Sequence, residues 1–420
     1  MTLAGAADRA APVLLAIFLL ALTVSISAAQ LTLGLLTIAE LCRLTQYGRR
    51  AAYRLPLLAP LLAFVAVTML SAAFSLEPRR AFFEAKDLLL IVTFYLAVNG
   101  VDDETRGLKL LRWFFVAVVI ISLYGLLQIV ACRSDIPIPA WEASLLRVKL
   151  DACRAAPFFR AKGLYSIYMT YAGVLLLAVT VMLAFITLLP WRRVWGIGGS
   201  ALIAMLALGG TFVRGAWIGL VVSFSILYIL TRRLRLIGLA VIPIVLALLA
   251  SSSVRERMQS VLDSRDATAE ERVQFWRAGA RMVRDHPWLG VGPGHVHLLY
   301  PNYRDADARR PTIGHLHNNV IQIAAERGLL GLGAWLWVWA AFMTRASRIY
   351  RQLPSTALER RAVVGGSLAA VVALFVAGLF EYNFGDSEVQ MLLWVVMALP
   401  FAVRAWPGAS ADSPAEGPHL

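Results

Sequence analysis

Long apolar blocks, separated by short polar stretches, set the pattern of this chain. Residues 11–42 form one apolar run, read as two short helices hinging near Ala28-Ala29-Gln30. Further blocks cover 55–74, 81–99, 111–131, 163–189, 194–212, 215–231, 234–250, 328–344, 362–380 and 388–405. At 1.5 Å per residue, most can cross ~30 Å of hydrocarbon as α-helices. Continuous blocks do not supply the alternating strands of a β-barrel. The pattern predicts an all-α polytopic membrane protein with about twelve transmembrane helices. Leu19 to Ala29 resembles the end of a signal peptide. The stretch before it, however, has one Arg offset by Asp8, and many spans follow, so an uncleaved first helix is expected.

Composition sharpens this picture. The chain is 59% hydrophobic and only 16% charged, against about 25% charged in soluble domains. Its formal net charge of +14 is nearly all arginine, since Lys86, Lys109, Lys149 and Lys162 are the only lysines. The excess fits basic cytoplasmic loops better than nucleic-acid binding. The basic, acid-poor stretches 42–54, 191–193, 231–235 and 344–361 all fall on the cytoplasmic side of a twelve-span topology. The expected division is nine spans in 1–250 with a smaller periplasmic loop at 132–162, a large, partly helical periplasmic loop at 251–316, three spans in 317–405, and a disordered cytoplasmic tail at 406–420. Cys132 and Cys153 share the smaller loop, where an oxidising compartment would let them pair; two free thiols is the plainer alternative.

Reactive side chains concentrate in the large loop. His286, His295, His297, His315 and His317 lie in it or at its end, with ten arginines and no lysine. A guanidinium grips phosphate through a bidentate fork, so this choice points to a phosphate or diphosphate ligand. The plainer reading is a solvated loop balanced by acids such as Asp263, Glu270, Glu271 and Asp285. In "TFVRGAWIG" (211–219), Arg214 is a lone charge between two spans, on the side where the positive-inside bias gives no reason for a cation. A snorkelling helix-end arginine is the alternative. Residues 269–295 predict a helix on which Arg272, Trp276 and Gly279 share a face. Pro287 stops it, and the tight "GVGPG" turn follows, where glycine lets backbone approach a neighbour. "HVH" (295–297), "HLH" (315–317) and "DAD" (305–307) are weak metal patterns, because no carboxylate has a fixed spacing to either histidine pair. His317 begins an amphipathic segment, 316–327, ahead of the 328–344 span. It is a candidate base, or a capping group with Asn318 as the cap. Glu326-Arg327 reads as a local ion pair.

"TFVRGAW", "ERVQFW", "HPWLGVGPG" and "HNNVIQIAAERGLLGLG" occur in that order, the last two flanking the end of the loop. The set, above all the H-N-x7-E-x-G-x2-G pattern, resembles the O-antigen ligase and O-antigen polymerase superfamily of bacterial inner-membrane glycosyltransferases. The resemblance covers about 163–400 and looks most like the lipopolysaccharide O-antigen ligase. It implies a GT-C-like fold and a cofactor-free, metal-independent, inverting transfer at the periplasmic face. The implied donor is O-polysaccharide on undecaprenyl diphosphate, and the implied acceptor is a sugar hydroxyl of lipid A-core. By motif, His317 takes the place of the general base, and Arg214 and Arg272 those of diphosphate ligands. Arg265 is a looser diphosphate candidate. Asn318, His315, Glu326 and the late acid Asp386 would support the site.

Three enzymes share this donor chemistry: the ligase, an O-antigen polymerase with a second lipid-linked glycan as acceptor, and a protein O-oligosaccharyltransferase. A transporter of anions or lipid-linked sugars is the alternative from another class. It expects ionisable groups at mid-span, and the only obvious cluster, Glu84, Lys86 and Asp87, lies close to a loop.

Overall fold

The computed structural model describes residues 3–47, 53–132, 144–148, 153, 159–233 and 267–407. Their regular structure is entirely helical. In chain order the helices are α1 (Leu3–Val24), α2 (Ile26–Tyr47), α3 (Leu58–Ala73), α4 (Pro78–Glu84), α5 (Val92–Gly100), α6 (Glu104–Ala131), α7 (Tyr168–Leu188), α8 (Trp191–Gly209), α9 (Arg214–Thr231), α10 (Ala267–Asp285), α11 (Val296–Tyr303), α12 (Asn319–Gln352), α13 (Leu358–Ala377) and α14 (Ser387–Arg404). Short 3₁₀ turns occupy Ala85–Ile91 and Asn383–Gly385. Among the described residues, seven helices are long and apolar enough to cross a membrane: α2, α6, α7, α9, α12, α13 and α14. The apolar parts of α1 and α3 are shorter.

The bundle is built around α7, in which every residue from Thr170 to Leu188 is buried. A helix that is apolar on all sides belongs inside other helices rather than against lipid. Its neighbours approach closely because small residues face it. A Cβ on Gly366 of α13 would press on Ala184 and Val181 of α7, and one on Gly219 of α9 would meet Leu176 and the Ala373 carbonyl. Close approach through small residues is the usual basis of helix packing where hydrophobic driving force is weak.

Contacts between helix ends fall into two groups, which mark the two ends of the bundle. One end joins Tyr350 to the Leu230 carbonyl, Arg360 to Glu104 (2.6 Å) and Trp406 to the Val101 carbonyl. The described parts of the basic stretches 42–54, 191–193, 231–235 and 344–361 all lie there. The opposite end joins Tyr165 to the Leu22 carbonyl, Gln128 to Gly163, Ser71 to the Glu326 carbonyl and Asn319 to Gly378. It also carries α10 and α11, packed on the start of α12 through Phe275, Ala278, Met282, Val296, Tyr300 and Leu316. Cys132 and Cys153 form a disulfide at this end, with Cα atoms 5.6 Å apart.

Several elements differ from expectation. The first apolar run breaks at Ser25, between α1 and α2, rather than at Ala28–Gln30. The 81–99 block is not one helix: α4, the 3₁₀ turn Ala85–Ile91 and α5 follow one another. Glu84, Lys86 and Asp87 fall at that break, where a continuous lipid-facing helix would strand their charges. The division between the amphipathic 316–327 segment and the 328–344 span is as expected: α12 carries a non-helical break at Gly328 (φ 66°, ψ −174°). Residues 234–250, the first part of the large loop (251–266) and 408–420 of the tail lie outside the described residues.

Candidate active site

His317 sits at the junction where α10 meets α12. The junction is fixed by polar groups of 318–319 reaching to 378–384. Asn318 caps α12, accepting from the Ile321 amide at 3.0 Å, and donates to the Leu379 carbonyl at 2.8 Å. The Asn319 amide donates to Gly378 O at 2.7 Å, and its side chain exchanges hydrogen bonds with Asn383 Oδ1 and the Phe384 amide. These contacts bring Glu381, in the α13–α14 connection, against His317. Both carboxylate oxygens of Glu381 lie 3.0 Å from His317 Nδ1. His317 itself has φ 51°, a left-handed conformation that a non-glycine residue adopts only when its surroundings hold it there.

Three more side chains complete the cluster. His315 Nε2 lies 3.6 Å from Glu381 Oε1, and the two imidazole centroids are 4.2 Å apart. Arg272 Nη2 of α10 lies 3.8 Å from Glu381 Oε2. Phe275, one turn further along α10, stacks on the His317 ring at 5.8 Å and 25°. α10 can come this close because Gly279 faces Leu316 and Ile321, which a Cβ there would strike.

The electrostatics follow from burial and from these pairs. Burial alone would raise the Glu381 carboxyl, but the His317 hydrogen bond, with His315 and Arg272, outweighs it and holds the group below its ordinary value. Glu381 is therefore an anion across the neutral range. Burial pushes His315 down to about 4, with His317 and Arg272 adding to the effect and Glu381 opposing it; it is neutral at pH 7. A neutral His317 that donates an Nδ1–H hydrogen bond to Glu381 keeps a lone pair on Nε2, and an imidazolium formed there is stabilised by the carboxylate. Asp386 stands apart from this pair. It accepts from Thr170 Oγ1 at 2.9 Å, and burial, with Glu381 and Glu388 nearby, raises it to about 7.

Arg214 opens α9 directly after a tight turn at 209–213, where Phe212 has φ 53°. It lies close enough to Arg272 for each to feel the other's charge. The motif residues His317, Arg272 and Arg214 therefore share one end of the bundle. Arg265 lies outside the described residues. Glu326 forms more than a local ion pair. It is buried, bonded to Arg327 (2.7 Å), Gln322 (2.8 Å) and the Gly294 amide (3.1 Å). The "GVGPG" turn closes on the α12 break: Val291 and Gly292 amides donate to the Ala325 and Glu326 carbonyls, both at 2.9 Å. Gly290, Gly292 and Gly294 all take positive φ there. A Cβ on Gly290 would strike the 325–327 backbone, so only glycine fits.

Other loop arginines take the plainer role. Arg281 pairs with Asp305, Arg277 lies 3.7 Å from the same carboxylate, and Arg309 and Arg310 pair with Glu270 and Glu271. Asp305 of "DAD" is thus an ion-pair partner. His295 and His297 separate: the first bonds the Pro293 carbonyl, the second Arg80. Among the described residues, His315, His317 and Glu381 form the one group whose ligand atoms gather within metal-binding reach, all within 4.8 Å of one another. A dication there would compete with the Nδ1–carboxylate bond and would sit beside the Arg272 guanidinium.

Glu381 is the residue that sequence reasoning missed. It and Asp386 sit in the same short stretch, "EYNFGDSE", and nothing in their spacing chooses between them. The usable signal was its place directly after the α13 span, where a lone acid next to apolar sequence is a functional candidate.

Fold and site together define a polytopic helical membrane protein with a histidine–carboxylate pair and arginines gathered at one end. Residues 199–336, from within α8 into α12, match the family described as O-antigen ligase. That segment holds Arg214, Arg272, His315, His317 and Glu326, whereas Glu381 and Asp386 lie beyond it. No curated protein matches the chain.

Proposed function

We propose that this protein is an inverting, metal-independent O-antigen ligase of the bacterial inner membrane. In this reading it moves O-polysaccharide from undecaprenyl diphosphate to a sugar hydroxyl of lipid A-core at the periplasmic face. The observation that carries the proposal is the His317–Glu381 pair, 3.0 Å apart, with Arg272 on the same carboxylate and Arg214 close by. A periplasmic site is supported by the gathering of the basic stretches at the other end of the bundle, as the positive-inside rule expects.

His317 Nε2 takes the proton of the acceptor hydroxyl as that oxygen bonds to the anomeric carbon. The bond from that carbon to the diphosphate oxygen breaks on the opposite face, which inverts the centre. Glu381 holds the imidazole in the Nδ1–H tautomer and stabilises the imidazolium. A positioned base of this kind is commonly worth ~10²–10⁴-fold. Arg214 and Arg272 compensate the charge that develops on the departing lipid diphosphate, at a boundary where low dielectric strengthens them.

One assay tests the reading. Purified protein in EDTA is incubated with undecaprenyl-diphosphate glycan and lipid A-core, and the ligated product is resolved on a gel. Product on lipid A-core is expected. Product only when a second lipid-linked glycan is the acceptor would make the enzyme a polymerase, and product on a pilin-like protein a protein oligosaccharyltransferase. No product in EDTA, with product once a divalent metal is supplied in excess, would favour a metal on His315, His317 and Glu381 instead.

A further inference from the structure

The stretch 159–167, just before α7, is pinned beside the Arg214 turn. Gln128 of α6 accepts from the Lys162 and Gly163 amides at 3.2 and 3.0 Å, and donates to the Gly163 carbonyl at 2.9 Å. Gly163 takes φ +57°, and a Cβ there would press on the Tyr171 ring. The fully buried Ala161 gives its amide to the Gly210 carbonyl at 2.9 Å, tying this stretch to the turn that ends in Arg214. Arg160 is therefore presented next to the start of α9. Its guanidinium lies 4.6 Å over the Tyr168 ring, and its Nη1 is 2.5 Å from the Tyr168 hydroxyl. Two residues further on, Thr170 bonds Asp386, on the connection that carries Glu381.

Arginines from three separate elements thus share this end of the bundle: Arg160 from the pinned stretch, tied to the Arg214 turn by the Ala161–Gly210 bond, Arg214 from α9 and Arg272 from α10, with Arg214 within electrostatic reach of both others. Guanidinium forks brought to one place match the paired oxygens of a diphosphate. A glycosyl lipid diphosphate carries about two negative charges while bonded and about three once it leaves, so a third cation matters most late in the reaction.

We propose that Arg160 is a third ligand of the lipid diphosphate, engaging the charge that appears as the leaving group departs. The proposal rests on the diphosphate reading of Arg214 and Arg272. Arg160 chemistry would then weigh on turnover and on product affinity, with less effect on donor KM.

The test measures binding of undecaprenyl diphosphate and of undecaprenyl monophosphate to wild type and to Arg160→Ala, Arg160→Lys, Arg214→Ala and Arg272→Ala, alongside transfer kinetics and melting temperature. Arg160→Ala is expected to cut kcat by ~10²–10³-fold, as loss of one charge-stabilising donor does elsewhere. It should weaken diphosphate binding at least tenfold, leave monophosphate binding within about threefold and keep the wild-type melting temperature. Arg160→Lys should fall between, keeping charge but losing the fork. Wild-type turnover and diphosphate affinity in Arg160→Ala, while Arg214→Ala and Arg272→Ala lose both, would overturn the role of Arg160 alone. Unchanged diphosphate affinity in all three alanine variants would overturn the diphosphate reading itself.

Discussion

Replacing Glu381 by Gln probes the site with almost no change of shape. Both Glu381 oxygens lie 3.0 Å from His317 Nδ1, so the substitution removes one full charge and puts an amide nitrogen in place of one oxygen. If the amide oxygen faces Nδ1, the tautomer survives and only the charge is lost. Two unit charges 4 Å apart at an effective dielectric of ~20 interact by ~4 kcal/mol. That figure is an upper bound, since the carboxylate also pairs with Arg272 and lies near His315. At 1.36 kcal/mol per decade it corresponds to at most ~10³-fold in rate. If the amide NH₂ faces Nδ1 instead, the ring proton moves to Nε2 and the base is lost, a change that costs ~10⁴-fold in a comparable histidine–carboxylate pair. The expected loss in Glu381→Gln is therefore ~10²–10⁴-fold in kcat, with acceptor KM little changed. The assay is initial rate of transfer in defined lipid, with melting temperature measured alongside. A Glu381→Gln enzyme with unaltered melting and wild-type kcat would refute the reasoning, because no positioned base could be that indifferent to the carboxylate bonded to its Nδ1.

Four other outcomes follow from the same geometry. Asp386 has its pKa raised to about 7 in the folded protein, so its contribution to stability is full below about pH 4 and is lost as pH rises through 7; Asp386→Asn should keep activity and show a melting-temperature gain over wild type that grows from pH 5 to pH 8. His315 is lowered to about 4 when folded, so stability is lost as pH falls from about 6.5 towards 4; melting curves of His315→Gln should be flatter than wild type over that range. Glu326→Ala leaves Arg327 buried beside an empty place and the Gly294 amide unbonded. It should cost ~3–5 kcal/mol of stability, read as a large fall in melting temperature, and Glu326→Gln should recover part of it. Gly290→Ala, which forces a Cβ against the 325–327 backbone, should detach the turn from α12 and speed proteolysis at 287–294.

Much of this was legible because apolar period and charge are local. The block 163–189 was read as a span from its sequence, and the family pattern singled out His317, Arg214 and Arg272 in separate parts of the chain. What stayed hidden depends on contacts far apart in sequence. Glu381 is 64 residues from His317, and Arg160 is brought to the Arg214 turn by the Ala161–Gly210 bond. The break in the first apolar run was expected near Ala28–Gln30 and falls at Ser25, and the split of 81–99, where three charges lie inside an apolar block, was missed. Glu326 looked like a local ion pair with Arg327 because its bond to the Gly294 amide forms only when the glycine turn folds onto α12.

The central claim is that His317 is the general base and needs no metal. Its most direct test is transfer of undecaprenyl-diphosphate glycan to lipid A-core by purified wild-type protein and His317→Ala, both in EDTA, followed to completion on a gel. The account predicts product with wild type and at least ~10²-fold slower transfer with His317→Ala at unchanged melting temperature. Wild-type transfer by His317→Ala, or no product from the wild type until a divalent metal is restored, would contradict it.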